Sequence, residues 1–297
     1  KTQKIFLNIK GDIMKNIKEK QKLIIMSMVT IAVIGISLFS TNNDQTLKTS
    51  VNVGSTKTIG WGIKRAKNNM QPDVGTDNRK MLEENSGICL GNDMEKVIYL
   101  TFDEGYEAGY TSQILATLKE NNVKATFFMT GGWVDSYPDM VKEICSRGHD
   151  LGNHSHNHKQ MSKLSASEQK DEIMYVTDKV KELTGYDVFL FRPPYGDYNS
   201  TLINTVYGCN HYPIQWNVDS LDWRDYGVEN IIKTVTNHKA LGNGSIILMH
   251  NGAKYTAKAL GTIIETLQSQ GYTFIPISEM IIRDNFHMDG TGRQIAD

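Results

Sequence analysis

From Lys96 onward, short apolar runs rich in β-branched and aromatic residues alternate with longer segments whose apolar positions recur at helical spacing. The short runs are Val97–Phe102, Ala125–Met129, His149–Gly152, Val188–Phe191, Tyr212–Trp216, Ser245–Met249 and Tyr272–Ile275, and they predict strands. Between them, Tyr110–Asn121 places Ile114, Leu115 and Leu118 on one face, with Lys119 and Glu120 turned away. The longest such stripe runs from Ser167 to Thr184 through Ile173, Val176, Val180 and Leu183. Repeated strand–helix alternation predicts a parallel sheet covered by helices. An open doubly wound sheet and a barrel both satisfy it.

The polar residues at the ends of the runs separate these two. Asp103 and Glu104 end the first run, and His154 follows the third. Arg192 follows the fourth, Asp219 and Asp222 the fifth, and His250 the sixth. Titratable residues at the carboxyl ends of several strands converge on one face of a barrel. In an open sheet they would be spread along an edge. The expectation is an α/β fold, a distorted barrel of seven or eight strand–helix units with an N-terminal signal or anchor helix and a short linker ahead of it.

The front of the 297-residue chain has a different texture. Lys15, Lys18, Lys20 and Lys22 precede the uncharged run Leu23–Phe39, the pattern of a secretory signal or membrane anchor. Cleavage and anchoring both stay open, because no clear small-x-small site follows. Residues 1–40 are read as an upstream extension plus this segment, 41–56 as a polar linker and 57–95 as an extension packing on the barrel. Residues 96–283 are read as the catalytic domain and 284–297 as a flexible tail. The expected address is outside the membrane, at its extracellular face, in the cell wall or in a spore cortex. Membrane contact is expected only through the N-terminal segment, and a monomer is expected.

Charge and cysteine content narrow the function classes. With 32 basic and 33 acidic residues and no basic stripe interleaved with aromatics, nucleic acid is excluded as an expected partner. Cys89, Cys145 and Cys209 lack any Cys-x-x-Cys spacing, so neither a disulfide framework nor a structural zinc site is expected.

The chemistry gathers in a few short stretches. His154 and His158 are four residues apart, which puts two imidazoles on one side of a turn and suits a divalent transition metal. Asp103 and Glu104 lie before the turn residue Gly105; one carboxylate is expected to bind the metal and the other to act as general base. An acidic helix start is the plain alternative for that pair. Arg192 opens Arg-Pro-Pro-Tyr-Gly, where two prolines fix the backbone, and a buried arginine needs an acid such as Asp103. The Tyr195 N–H could then meet an oxyanion. Asp219 or Asp222, at the neighbouring strand end, could hold His250 protonated as a general acid.

In order, TFDEG, HSHNH, RPPYG, DSLDW and ILMH resemble the five motifs of the polysaccharide deacetylases, the NodB-homology enzymes of carbohydrate esterase family 4. The resemblance covers about Lys96 to Met280 and implies a distorted barrel and a metal-dependent N-deacetylase. It implies Asp103 as general base and His154, His158 and Glu104 as metal ligands. Arg192 would orient Asp103, Asp222 would tune His250 as general acid, and Tyr195 would lend its backbone N–H. Trp223 and Leu248 would wall the acetyl pocket. The family usually carries aspartate where this chain has Glu104, so that ligand is the point of departure. No organic cofactor is implied; zinc is the default metal, and cobalt, nickel or iron suit the same donors.

Trp61-Gly62-Ile63, Leu90-Gly91-Asn92 and the stretch Tyr99–Tyr110 resemble the delta-lactam-biosynthetic subgroup, which removes acetate from muramic acid of peptidoglycan in the spore cortex. RPPYG and DSLDW are also similar to the peptidoglycan N-acetylglucosamine and chitooligosaccharide type. The expected substrate is a peptidoglycan strand, muramic acid ahead of glucosamine. A small-molecule amidohydrolase and a non-catalytic glycan-binding or spore-structural protein are the alternatives of other kinds.

Overall fold

The computed structural model describes residues 87–297. The basic flank, Leu23–Phe39, the linker and Trp61-Gly62-Ile63 lie outside the described residues. Among the described residues, no helix is long and apolar enough to cross a membrane.

The core is a curled, all-parallel sheet with helices outside. Its strands are β1 (Val97–Glu104), β2 (Thr126–Met129), β3 (Asp150–Asn153), β4 (Leu190–Phe191), β5 (Tyr212–Pro213), β6 (Val218–Asp219), β7 (Ser245–His250) and β8 (Thr273–Phe274). They run in the order β5-β4-β3-β2-β1-β7-β6, with β8 also paired to β1. β1 is central. Its first residues pair with β8, its last with β2, and Ile98–Asp103 with β7 along the other edge. Every residue of β1 is buried, which is why its sequence is apolar on both faces until the carboxylates at its end.

The gap between the two ends of this sheet is bridged by residues ahead of β1. Ile88 pairs in parallel with Ile214, next to β5, and Leu90 pairs antiparallel with Ser245 at the start of β7. The Ile88 N–H donates to Pro213 O at 2.9 Å, and Gln215 N–H donates to Ile88 O at 2.7 Å. A short bridging segment thus takes the place of a full strand, which makes the barrel a distorted one.

Helices α1 (Thr111–Glu120), α2 (Gly131–Ser136), α3 (Pro138–Ser146), α4 (Ala166–Thr184), α5 (Ser200–Gly208), α6 (Val228–Thr236) and α7 (Thr256–Ser269) cover the sheet. The α1 stripe of Ile114, Leu115 and Leu118 is fully buried, and α1 packs beside α7. Helix α4 starts just before the predicted Ser167, because Ser165 and Glu168 close a reciprocal capping box on its first turn. It stops at Gly185, whose φ of +75° a side chain would disfavour.

Two sequence-based expectations are corrected here. Asp219 does not follow β5 but closes the short separate strand β6, paired with β7 at Leu248. A two-residue strand without alternation leaves no periodic signal. The expected flexible tail is an antiparallel hairpin, β9 (Phe286–Met288) with β10 (Gln294–Ala296). Polar composition suggested fraying, but Arg293 is buried and donates to Gly91 O at 2.8 Å and to Asp93 at 2.8 Å. Those contacts bind the hairpin to the bridging segment. Cys89, Cys145 and Cys209 are free thiols.

Candidate active site

Strand alternation sets the direction of each side chain at the end of β1. Thr101 and Asp103 point to one face, and Arg192, just beyond β4, meets both: Nη1 lies 2.8 Å from Thr101 Oγ1 and 2.7 Å from Asp103 Oδ1. Arg192 is fully buried, with its guanidinium carbon 4.1 Å from the Phe128 ring centre, and Nη2 donates to Gln215 O at 3.3 Å. Burial works to raise the Asp103 carboxyl, but the charges of Arg192, His154 and His250 outweigh it and hold the group below its ordinary value.

His154 leaves β3 alongside this pair. Its Nδ1 lies 2.8 Å from Arg192 O, and a carbonyl acceptor requires the hydrogen to sit on that nitrogen. Nε2 therefore carries the lone pair, and it faces Asp103 Oδ2 across 3.5 Å. Burial pushes the His154 imidazole down to about 4, and burial lowers His158 as well. The two rings are 4.9 Å apart, and His158, at φ +51°, also meets the Tyr195 ring edge-on at 4.6 Å. Two neutral imidazoles beside a carboxylate, with a lone pair facing an anion, are donors that a divalent transition metal satisfies.

Glu104 is not part of that group. It follows Asp103 by one residue and so points to the opposite face, where its carboxylate accepts from Thr111 Oγ1 at 3.3 Å. Glu107 and Asn251 share that second, buried pocket: Asn251 Nδ2 donates to Glu107 at 3.2 Å and to Thr111 Oγ1 at 3.0 Å. Burial, with Glu107 nearby, drives the Glu104 carboxyl well above its ordinary value. The expected trio of His154, His158 and Glu104 is therefore not assembled, and among the described residues no three His, Cys, Asp or Glu side chains stand together to hold a metal. The donors fit a metal held by two imidazoles next to Asp103, with the other positions left to water and substrate.

The second half of the site comes from β7 and the turn Asp222–Arg224. Asp222 is fully buried; its Oδ1 lies 2.8 Å from His250 Nδ1, and its Oδ2 accepts from the His250 N–H at 2.7 Å and from Thr256 Oγ1 at 2.6 Å. Burial opposes protonation of His250, yet Asp222, with Asp103 and Asp219, outweighs it and raises the imidazole above its ordinary value. Nε2 is left to face the cavity. Asp219 instead accepts from the Leu221 N–H at 2.9 Å and shapes the turn.

Two adjoining cavities collect these groups. One of about 500 Å³ is lined by Asp103, His154, His158, Tyr195, Leu248 and His250, with Trp216 and Trp223 among its walls. The other, about 730 Å³, shares Asp103, His158, Trp223 and His250 and opens outward past Tyr106. Arg192 and Asp222 sit behind them, each touching the side chain it positions. Tyr195, at φ +62°, is 64% exposed on the short turn Pro194–Gly196, where the two prolines hold it. The sequence reading missed Thr101, Gln215 and Thr256, which anchor Arg192 and Asp222. Only Thr101 carried a signal, since it lies two residues before Asp103 on the same strand face.

The polysaccharide deacetylase family model matches residues 91–212. The peptidoglycan-N-acetylmuramic acid deacetylase PdaA of Bacillus subtilis is 34% identical over 238 residues, 77% of this chain and 88% of PdaA. The solved structure of PdaA, a family 4 carbohydrate esterase, superposes with a TM-score of 0.71 over 76% of this chain and 98% of that one. The peptidoglycan-N-acetylglucosamine deacetylase PgdA of Listeria monocytogenes is 39% identical over 186 residues, 62% of this chain and 39% of PgdA. A structure of a pseudoenzyme of the same esterase family from Bacillus anthracis matches with 30% identity and a TM-score of 0.64, over 67% of this chain and 70% of that one.

Proposed function

The chain belongs to the polysaccharide deacetylase family, and from that premise we propose that it removes acetate from N-acetylmuramic acid residues of peptidoglycan, using a divalent metal. At the coarser level it is a peptidoglycan deacetylase, a hydrolase of N-acetyl amide bonds. The observation that carries the reading is the pair of oppositely tuned groups in one cavity, Asp103 held low by Arg192 and His250 held high by Asp222. A base and an acid whose surroundings push them apart are what amide hydrolysis needs.

A metal, zinc by default, would be held by His154 and His158, and when bound it supplies Lewis-acid polarisation of the acetamide and a more acidic water. Asp103, fixed by Arg192, takes a proton from the attacking water as its oxygen bonds to the acetamide carbon. The Tyr195 backbone N–H donates to the developing oxyanion. His250 Nε2 then gives its proton to the departing amine as the carbon–nitrogen bond breaks, leaving acetate and a free amino sugar. Asp222 holds His250 in the orientation and charge state for that transfer. Trp223 and Leu248 enclose the acetyl methyl.

The muramic assignment draws on the longer match to PdaA, over 238 residues against 186 for PgdA. A glucosamine substrate is the second reading, favoured by the higher identity to PgdA. A peptidoglycan substrate supports a working site outside the membrane, reached by the export expected from the N-terminal sequence. Acetate release by the full chain from intact peptidoglycan, from strands stripped of stem peptides and from chitin oligomers tests the assignment. Free muramic acid residues found by mass spectrometry of the digested strands support it, and free glucosamine residues, or release only from chitin oligomers, move the protein to the glucosamine branch.

A further inference from the structure

Lys254 is the one lysine or arginine among the described residues lining either active-site cavity. The fixed negative charges it shares that wall with are Asp103, already paired with Arg192, and the exposed Asp225. Lys254 is itself exposed, and no ion pair engages it among the described residues. Its ammonium lies 5.0 Å from the Tyr255 ring centre and is hydrogen-bonded to Tyr255, with Asp225 also drawing on its charge, contacts that steer the side chain and leave it a cation. Arg224, the other cation nearby, is occupied elsewhere: its guanidinium lies 4.5 Å from the Trp223 ring centre, and Nη1 donates to Tyr226 Oη at 3.3 Å.

The loop that carries Lys254 is tied to the proton donor. His250 ends β7, and the Ala253 N–H reaches back to His250 O at 3.4 Å. Thr256 Oγ1, at the start of α7, donates to the same Asp222 that holds His250. Gly252 packs so closely on Tyr106 that an added Cβ would lie 2.7 Å from Tyr106 O. The loop therefore has one course past the cavity, with Lys254 four residues from His250.

Given the deacetylase reading, on which this step rests, the substrate's own chemistry places an anion there. The acetamide is on C2 of the sugar, and the neighbouring carbon C3 bears either a hydroxyl or the lactyl ether that defines muramic acid. With the acetamide between Asp103 and His250, the C3 substituent lies one carbon from the reacting group, in a cavity whose lining includes Lys254. The lactyl carboxyl is charged only when no stem peptide is attached, because the peptide converts it to a neutral amide. We infer that Lys254 recognises the free lactyl carboxylate of peptide-stripped muramoyl residues, and so sets the specificity of the site. A flexible ammonium suits a carboxylate that rotates about an ether.

The test is steady-state acetate release by the metal-loaded full chain, as wild type, Lys254→Gln and Lys254→Arg. One substrate is peptide-stripped strands with free lactyl carboxylates. The other is the same strands after conversion of those carboxylates to methyl amides. For Lys254→Gln, KM on the free carboxylate is expected to rise about tenfold, equivalent to about 1.4 kcal/mol, with kcat unchanged. KM on the amide is expected to stay at the wild-type value, and Lys254→Arg should restore most of the loss. An unchanged KM for Lys254→Gln on stripped strands, or an equal rise on both substrates, overturns the role of Lys254 and leaves the deacetylase reading intact. Wild-type release from chitin oligomers but from neither muramoyl substrate overturns the role of Lys254 together with the muramic assignment and moves the protein to the glucosamine branch.

Discussion

Arg192 and Asp103 form a buried ion pair, 2.7 Å between Nη1 and Oδ1, that fixes the carboxylate facing His154. Neither partner can be lost alone without stranding the other in an apolar setting. Arg192→Met is expected to destabilise the metal-free protein by about 3 kcal/mol, mostly through the uncompensated Asp103 charge. Adding Asp103→Asn should recover most of that loss. Urea unfolding of the two single variants and the double checks it; a double variant as unstable as Arg192→Met would show that the pair is not the source.

Asp222 sets the alkaline limit of activity. His250 must be protonated to act, and its raised value keeps it so to higher pH than an ordinary imidazole. Activity should therefore fall as pH rises through the His250 value, and Asp222→Asn should move that fall to lower pH. The pH profile of kcat/KM for wild type and variant is the measurement. An alkaline limb that stays in place in Asp222→Asn would mean another group governs it.

Much of this site was legible in the sequence because barrels put strand ends on one face, and the polar residue after each apolar run then marks the site. Asp103, His154, Arg192 and His250 follow from that rule alone. Glu104 does not, because a side chain one residue beyond Asp103 leaves the strand on the opposite face, where it meets Thr111 and cannot share the imidazole site. The partners that anchor the site were also hidden. Thr256 meets Asp222 only after a helix start folds against a turn 34 residues away in sequence. The C-terminal hairpin was invisible for the same reason, since Arg293 is ordered by contacts with Gly91 and Asp93.

The placement of Glu104 predicts a separation between two kinds of variant. Glu104→Gln should keep the wild-type metal content, since its carboxylate meets Thr111 and not the imidazoles. His154→Ala and His158→Ala should each lose the metal. Metal per chain after dialysis, measured by atomic absorption, checks this, and loss of metal from Glu104→Gln would return it to the ligand set.

His149 supplies an acid-sensitive element away from the site. It is buried, accepts from the Ala125 N–H at 3.2 Å, and burial, with Lys124 and Arg147 adding to it, pushes it down to about 4. The unfolded chain takes up this proton below pH ~6.5 while the folded chain does not, so stability falls as pH drops from there toward about 4. The contribution is on the order of 3 kcal/mol across that window. His149→Gln should show a shallower loss of stability on acidification in urea unfolding. An unchanged slope would mean His149 is not the group that titrates.

Whether Asp103 is the base is decided by the acetate-release rate of metal-loaded Asp103→Asn beside wild type on peptidoglycan. Asparagine cannot accept the water proton; it is isosteric and leaves the imidazoles in place, and because it strands the buried Arg192 charge the rate is compared at a temperature where circular dichroism shows the variant folded. The expected result is a kcat lower by about 10²–10⁴, with metal content and fold retained. A kcat near wild type would contradict the assignment of Asp103 as the base and with it the account of the site.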